Sequence, residues 1–140
     1  MRRLFILLGF WAILRPAQAS IDDAIASALL AIDQYVKQGY IVRDDEWGGD
    51  LGLREQKAIP HTLFKGNDYW FCIGSDVENA RVAIHLYDSR GKLAESESWQ
   101  RGRFAGARVL PVGTGTYYII VEVTGSPKER TTWAMVYAYK

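Results

Sequence analysis

The chain is 140 residues long, with 17 lysines and arginines against 16 aspartates and glutamates, a formal charge of +1. That balance, with both signs interspersed, argues against a nucleic-acid partner, which needs a basic stripe to neutralise phosphates. The single cysteine excludes an internal disulfide, and the length suits one domain that buries a core without such staples.

Residues 1–19 carry the order of a secretory signal. Arg2-Arg3 is followed by the apolar run Leu4 to Leu14, then by Arg15-Pro16 and by Ala17-Gln18-Ala19 ahead of Ser20. A membrane anchor fits less well, because such a run rises only about 16 Å as a helix against a hydrocarbon core of about 30 Å. The arginine pair also admits a twin-arginine signal. Cleavage after Ala19 removes three arginines and leaves 14 basic against 16 acidic side chains, a net charge of −2. The expected mature protein is exported, to the periplasm or outside the cell, with no stable membrane insertion and no basic amphipathic segment.

Ser20 to Gln38 reads as an amphipathic helix, with Ile21, Ile25, Ala28, Leu29, Ile32 and Val36 on one face. Ser20 suits the N-cap, Asp22 and Asp23 suit the first turn, and Gly39 suits the stop. The helix, residues 20–39, is expected to pack on a β domain spanning 40–140; a partner-binding helix is the alternative. Beyond Gly39 the period becomes two. Tyr40 to Arg43 reads as a short strand, and Glu46 to Gly52, with three glycines, as a loop. Arg54 to Phe64 reads as a strand broken near Pro60, hence an edge or a bulge. Lys65 to Asp68 is a turn and Tyr69 to Gly74 a strong strand. Arg81 to Tyr87 alternates, with Val82, Ile84 and Leu86 on one face, and Asp88-Ser89-Arg90-Gly91 turns it into a hairpin partner at Lys92 to Glu97. Further strands are expected at Ala107 to Val112, Thr116 to Thr124 and Thr132 to Tyr139. Seven or eight short strands and one N-terminal helix predict a mostly β fold, an antiparallel, jelly-roll-like β-sandwich.

Three segments carry a family resemblance. Tyr69-Trp70-Phe71, Val82 to Leu93 with its Asp88-x-x-Gly91 turn, and Gly115-Thr116-Tyr117-Tyr118 resemble, in order, strands of bacterial pre-peptidase C-terminal domains. The likeness runs over about residues 61–139. It implies a jelly-roll-like sandwich and non-catalytic work: binding polymeric substrate, aiding secretion or packing on an enzyme. Such domains follow a catalytic domain, whereas here a helix precedes the sandwich.

No catalytic constellation is legible. His61 and His85 read as surface histidines of a sheet, and there is no G-x-S-x-G elbow, zinc motif or singled-out carboxylate pair. No catalytic residue, metal ligand or cofactor is therefore assigned. Asp44, Asp45, Glu46 and Asp50 crowd the glycine-rich loop, which leaves calcium open. Cys72, within an apolar run, reads as buried rather than as a reactive thiol. Aromatic residues are the feature above background. Trp70 and Trp133 fall in packed strands, whereas Trp47 and Trp99 lie near loops, and with Tyr118 they are the candidate binding residues. The sequence thus predicts an exported binding or structural module with an unknown protein or polysaccharide partner. A carbohydrate-binding protein using Trp47, Trp99 and tyrosines is the alternative, and a small secreted hydrolase the third class.

Overall fold

A computed structural model describes residues 16–140. Most of the expected leader, residues 1–15, lies outside the described residues. Helix α1 (Pro16–Val36) is followed by β1 (Ile41–Gly52), β2 (Gln56–Leu63), β3 (Tyr69–Ser75), β4 (Arg81–Tyr87), β5 (Glu97–Arg101), β6 (Phe104–Val109), β7 (Gly115–Gly125) and β8 (Arg130–Tyr139). The strands form two antiparallel sheets, ordered β1-β8-β3-β6-β5 and β2-β7-β4. The fold is therefore the antiparallel sandwich that the strand spacing predicts.

The two-faced apolar pattern of β3 explains the layering. Tyr69, Phe71 and Ile73 point into the core between the sheets, beside Ile84, Leu86, Ile119, Val121, Trp133 and Met135. Trp70 and Cys72 point the other way and are covered by α1 through Ala28, Ala31, Ile32 and Tyr35. Strand β4 buries Val82, Ile84 and Leu86, as its alternation requires. Among the described residues no helix covers the outer face of the small sheet, and β7 alternates between buried and more exposed positions.

Four expectations need correction. The helix starts at Pro16, and its buried face is Ala24, Ser27, Ala28, Ala31, Ile32 and Tyr35, shifted about one residue from the predicted stripe, so that Leu29 and Val36 are exposed. Close approach sets this choice at the crossing point: a Cβ on Gly74 of β3 would lie 2.5 Å from the backbone nitrogen of Ala28, so small residues, Ser27 and Ala28, face it there. Second, residues 46–52 are not a loop but most of β1. Gly48 and Gly49 sit extended opposite Ala134 and Trp133, with the Trp133 indole against Gly49. Third, Lys92 to Glu97 forms no second hairpin strand. The Asp88 turn closes with a lone bridge between Tyr87 and Leu93, and the chain then crosses to the far edge of the large sheet as β5. Fourth, the strand expected at Ala107 to Val112 is β6, which starts at Phe104 and ends at Val109. Pro60 lies on the edge strand β2, where its missing N–H leaves no ladder bond unmade.

Candidate functional site

Between the two sheets the sandwich is open along one side, where β2 is the edge of the small sheet and β1 the edge of the large one. Strand β1 is irregular there: Val42 faces Ala138 and Glu46 faces Val136, so the register slips over Arg43 to Asp45. Such a bulge re-aims side chains. Here it brings Asp45 and Arg43 beside Tyr137 and Tyr139 of β8.

The result is a cleft of about 380 Å³ lined by Arg43, His61, Phe64, Asn67, Tyr137 and Tyr139, among others. His61 shares the inward parity of Ile59 and Leu63. Its Nε2 lies 3.1 Å from the Tyr137 hydroxyl, which donates to Asp45 Oδ2 at 3.2 Å. If Tyr137 donates to Asp45, it accepts from His61 Nε2–H. The Trp47 ring meets His61 edge-on at 5.3 Å, and the Arg43 guanidinium lies 5.4 Å from the Tyr139 ring centre. The Tyr69 hydroxyl accepts from the Phe64 amide at 3.0 Å and from Asn67 Nδ2 at 3.1 Å, fixing the β2–β3 turn at the rim. Burial holds the His61 ring below the usual histidine value, only partly offset by Asp45. Burial, reinforced by Asp45, pushes the Tyr137 hydroxyl up. At neutral pH the cleft therefore presents a neutral imidazole, aromatic faces and one guanidinium, and Arg43 makes no ion pair among the described residues. Those groups can hold a ring or a carboxylate.

The three aromatic residues singled out by sequence lie on three different surfaces. Trp47 is half-buried behind the cleft just described, its ring against those of His61 and Tyr137. Trp99 of β5 lies on the helix side, its indole N–H donating to the Tyr35 hydroxyl at 2.8 Å and its ring pressed on Gly106. Tyr118 stands on the open outer face of the small sheet, 38% exposed, directly across from Tyr87 of β4 and Pro60 of β2. With His85, Gln56 and Asp88 these tyrosines border a second, shallower depression. His85 is fixed by Glu95, whose Oε1 lies 2.7 Å from its Nδ1 and whose side chain is only 6% exposed. Arg43, Asp45, His61 and Tyr137 were not visible as a group, because His61 and Tyr137 are 76 positions apart and Asp45 and Tyr137 are 92. The acidic residues near position 45 do not gather: Asp50 pairs with Arg130, and Asp45 turns to Tyr137. Among the described residues no three of His, Cys, Asp and Glu are placed to hold a metal ion, and no helix is long and apolar enough to cross a membrane.

No family model matches the chain, and no curated protein matches its sequence. Solved structures do. Aeromonas hydrophila PliG, a periplasmic lysozyme inhibitor of g-type lysozyme, matches at a TM-score of 0.51 and 14% identity, over 74% of this chain and 90% of that one. The Yersinia pseudotuberculosis-derived mitogen matches at 0.52 and 13%, over 70% and 86%. The pre-peptidase C-terminal domain of a Bacillus anthracis collagenase matches at 0.43 and 12%, over 68% and 89%. At these identities the likeness is one of fold: the chain is a β-sandwich similar to those of several small proteins and appended domains.

Proposed function

We propose that the chain is an exported, non-catalytic β-sandwich binding module whose ligand-facing surface is the mouth between β1 and β2 and whose ligand is a segment of a protein partner. Export rests on the order of residues 1–19. One observation carries the site: the β1 bulge delivers a guanidinium, bonded to Tyr137 but without an ion pair among the described residues, to a cleft of aromatic rings already ordered by the Asp45–Tyr137–His61 bonds. Preordered groups of this kind lower the cost of binding. The occurrence of a similar fold in a periplasmic inhibitor of g-type lysozyme is consistent with a protein ligand. A photo-crosslinking amino acid at Thr62, which lines the cleft and is exposed, tests this in the exporting cell. A discrete adduct is expected, lost on Arg43→Ala and absent when the probe sits at Pro127. Adducts that ignore Arg43 would sink the assignment.

The second reading, carbohydrate binding, is favoured by one observation: Tyr118 and Tyr87 stand side by side on an uncovered sheet, rimmed by Gln56, His85 and Asp88. Aromatic faces with a polar rim suit a sugar ring. Titration with soluble polysaccharides should then give a saturable signal lost in Tyr118→Ala. Among the residues singled out by sequence, Trp47 belongs to the first surface and Tyr118 to the second, whereas Trp99 packs against α1.

A further inference from the structure

Three loops meet at one end of the sandwich: 64–68 after β2, 88–96 after β4 and 110–114 after β6. The Lys65 amide bonds Thr114 Oγ1 at 2.9 Å, which ties the first loop to the third. Leu93 and Leu110 border one depression with Val112, and Val112 borders the next with Arg90 and Lys92. Four exposed apolar side chains lie on these loops. Phe64 is 55% exposed, Leu93 60%, Leu110 48% and Val112 90%, four of the ten large hydrophobic side chains exposed among the described residues. Val112 in particular stands clear of the surface, so this end is a projecting tip rather than a groove.

The charges around the tip are predominantly positive. Lys65, Arg90 and Lys92 make no ion pair among the described residues. Two acidic groups of the same loops are engaged elsewhere, and the third, Asp88, keeps its charge in the turn that carries Arg90 and Lys92, which leaves the three cations an excess of two. Asp68 is held by Arg108 and Tyr40, Glu95 is buried on His85, and Asp88 Oδ1 accepts the Arg90 and Lys92 amides at 2.9 Å each. That last contact also stiffens the turn that carries the two cations. Apolar side chains projecting beyond a collar of net positive charge match the boundary between acyl chains and anionic headgroups.

We infer that this end of the sandwich docks reversibly on an anionic lipid surface, with Leu93, Leu110 and Val112 entering the headgroup boundary and Lys65, Arg90 and Lys92 facing the lipid charge. This is adsorption at the interface and needs no spanning segment. It also orients the molecule: the mouth between β1 and β2 shares Phe64 with this end and so opens close to the bilayer. The opposite end, with the β7–β8 turn at residues 126–129, points away.

A polarity-sensitive dye on a cysteine at Val112→Cys tests the orientation in the full chain. Cys72 is fully buried, so the introduced thiol alone labels, and a side chain as exposed as Val112 carries no packing to lose. Vesicles of phosphatidylcholine with phosphatidylglycerol should blue-shift the dye, whereas the same dye at Pro127→Cys should stay aqueous. Each lysine or arginine near an anionic surface is worth about a factor of five in partitioning, so Arg90→Gln with Lys92→Gln should raise the lipid needed by roughly 25-fold. Three results would each overturn the inference: a silent dye at 112, an equal response on pure phosphatidylcholine, or a response indifferent to the two cations. Anchoring through the chain's N-terminal residues is distinguished as well, since it would not single out position 112 or depend on Arg90 and Lys92.

Discussion

Gly74→Ala is the sharpest test of how α1 sits on the sandwich. The added Cβ would lie 2.5 Å from the Ala28 nitrogen, 2.7 Å from the Ser27 carbonyl carbon and 2.8 Å from the Ser27 Cβ. Two of these are backbone atoms, so no side-chain rotation relieves the clash. Ordinary contact between such atoms needs about 3.5 Å, so the helix must lift by about 1 Å. Lifting it loosens Ala28, Ile32 and Tyr35 from Trp70, Cys72 and Val136, including the Tyr35–Trp70 stack at 3.9 Å between ring centres. Overpacking costs about 1–3 kcal/mol and the loosened stack up to about 1.5 kcal/mol. The reduced freedom of alanine in the unfolded chain offsets about 0.4–1 kcal/mol. Mid-range values of the three net to a loss of about 2 kcal/mol, or roughly 8 °C in Tm for a domain of this length. Urea unfolding followed by tryptophan fluorescence and by circular dichroism measures it. Gly113→Ala is the matched control, because nothing lies within 4 Å of its Cβ position and its φ is not among the positive ones. Equal stability of the two variants would refute the seating of α1 on β3.

Three further outcomes follow from named contacts. Gly106→Ala places a Cβ 2.5 Å from Trp99 Nε1, so it should break the Trp99–Tyr35 bond, cost about 1–2 kcal/mol and shift the fluorescence of Trp99; an unchanged spectrum would count against that packing. Burial opposes ionisation of Asp68, but hydrogen bonds from Arg108 and Tyr40 together hold its carboxyl below the usual carboxylate value. A depressed folded value stabilises the protein above about pH 4 and loses that contribution as pH falls through it. Asp68→Asn should therefore cost about 1–2 kcal/mol at pH 7 and flatten the acid limb of a stability–pH profile; a limb as steep as wild type would argue otherwise. Burial pushes the Cys72 thiol far up, so a thiol reagent at pH 8 should react only as fast as the protein unfolds, and prompt labelling would contradict the packing under α1.

Periodicity revealed the layers and missed the edges. Strand β3 shows apolar residues on both faces because the opposite sheet covers one and the helix the other. That fact is local to five residues, and sequence can carry it. Strand β1 is hidden in the sequence because glycines signal turns, whereas Gly48 and Gly49 make room for neighbours across the sheet. The departure of residues 92–97 from β4 has no local signal either, since a hairpin and a crossover begin with the same Asp-x-x-Gly turn. The candidate surfaces are legible according to how local they are. Residue type alone marks Trp47 and Tyr118 as candidates. The Arg43–Asp45 bulge, and its meeting with His61 and Tyr137, exists only after β1 pairs with β8 and the sheets close. The apolar tip is likewise spread over three loops, none of them basic and amphipathic alone.

The relation of α1 to the expected cleavage after Ala19 gives a last test, because the helix runs through that position from Pro16. Among the described side chains the buried face begins at Ala24, beyond the cut. A chain beginning at Ser20 keeps the whole of that described face. It places an ammonium at the start of a helix, which costs about 0.3–1 kcal/mol against the dipole. Asp22 and Asp23 would then lie in the first turn, where acidic groups return a similar amount. The chain beginning at Ser20 should melt within about 3 °C of the uncut one. Removal through Gly39 is different in kind. It strips Ile32 and Tyr35 from the sheet, each worth about 1.5–3 kcal/mol when fully buried, and uncovers Trp70, Cys72, Val136 and Ala138. A loss of about 3–6 kcal/mol is a large share of a stability of about 5–15 kcal/mol. That chain should aggregate or expose Cys72 to thiol reagents. If instead it stays folded with Cys72 protected, the helix is dispensable; if the chain from Ser20 loses 10 °C, residues before the cut belong to the folded domain and the leader reading fails.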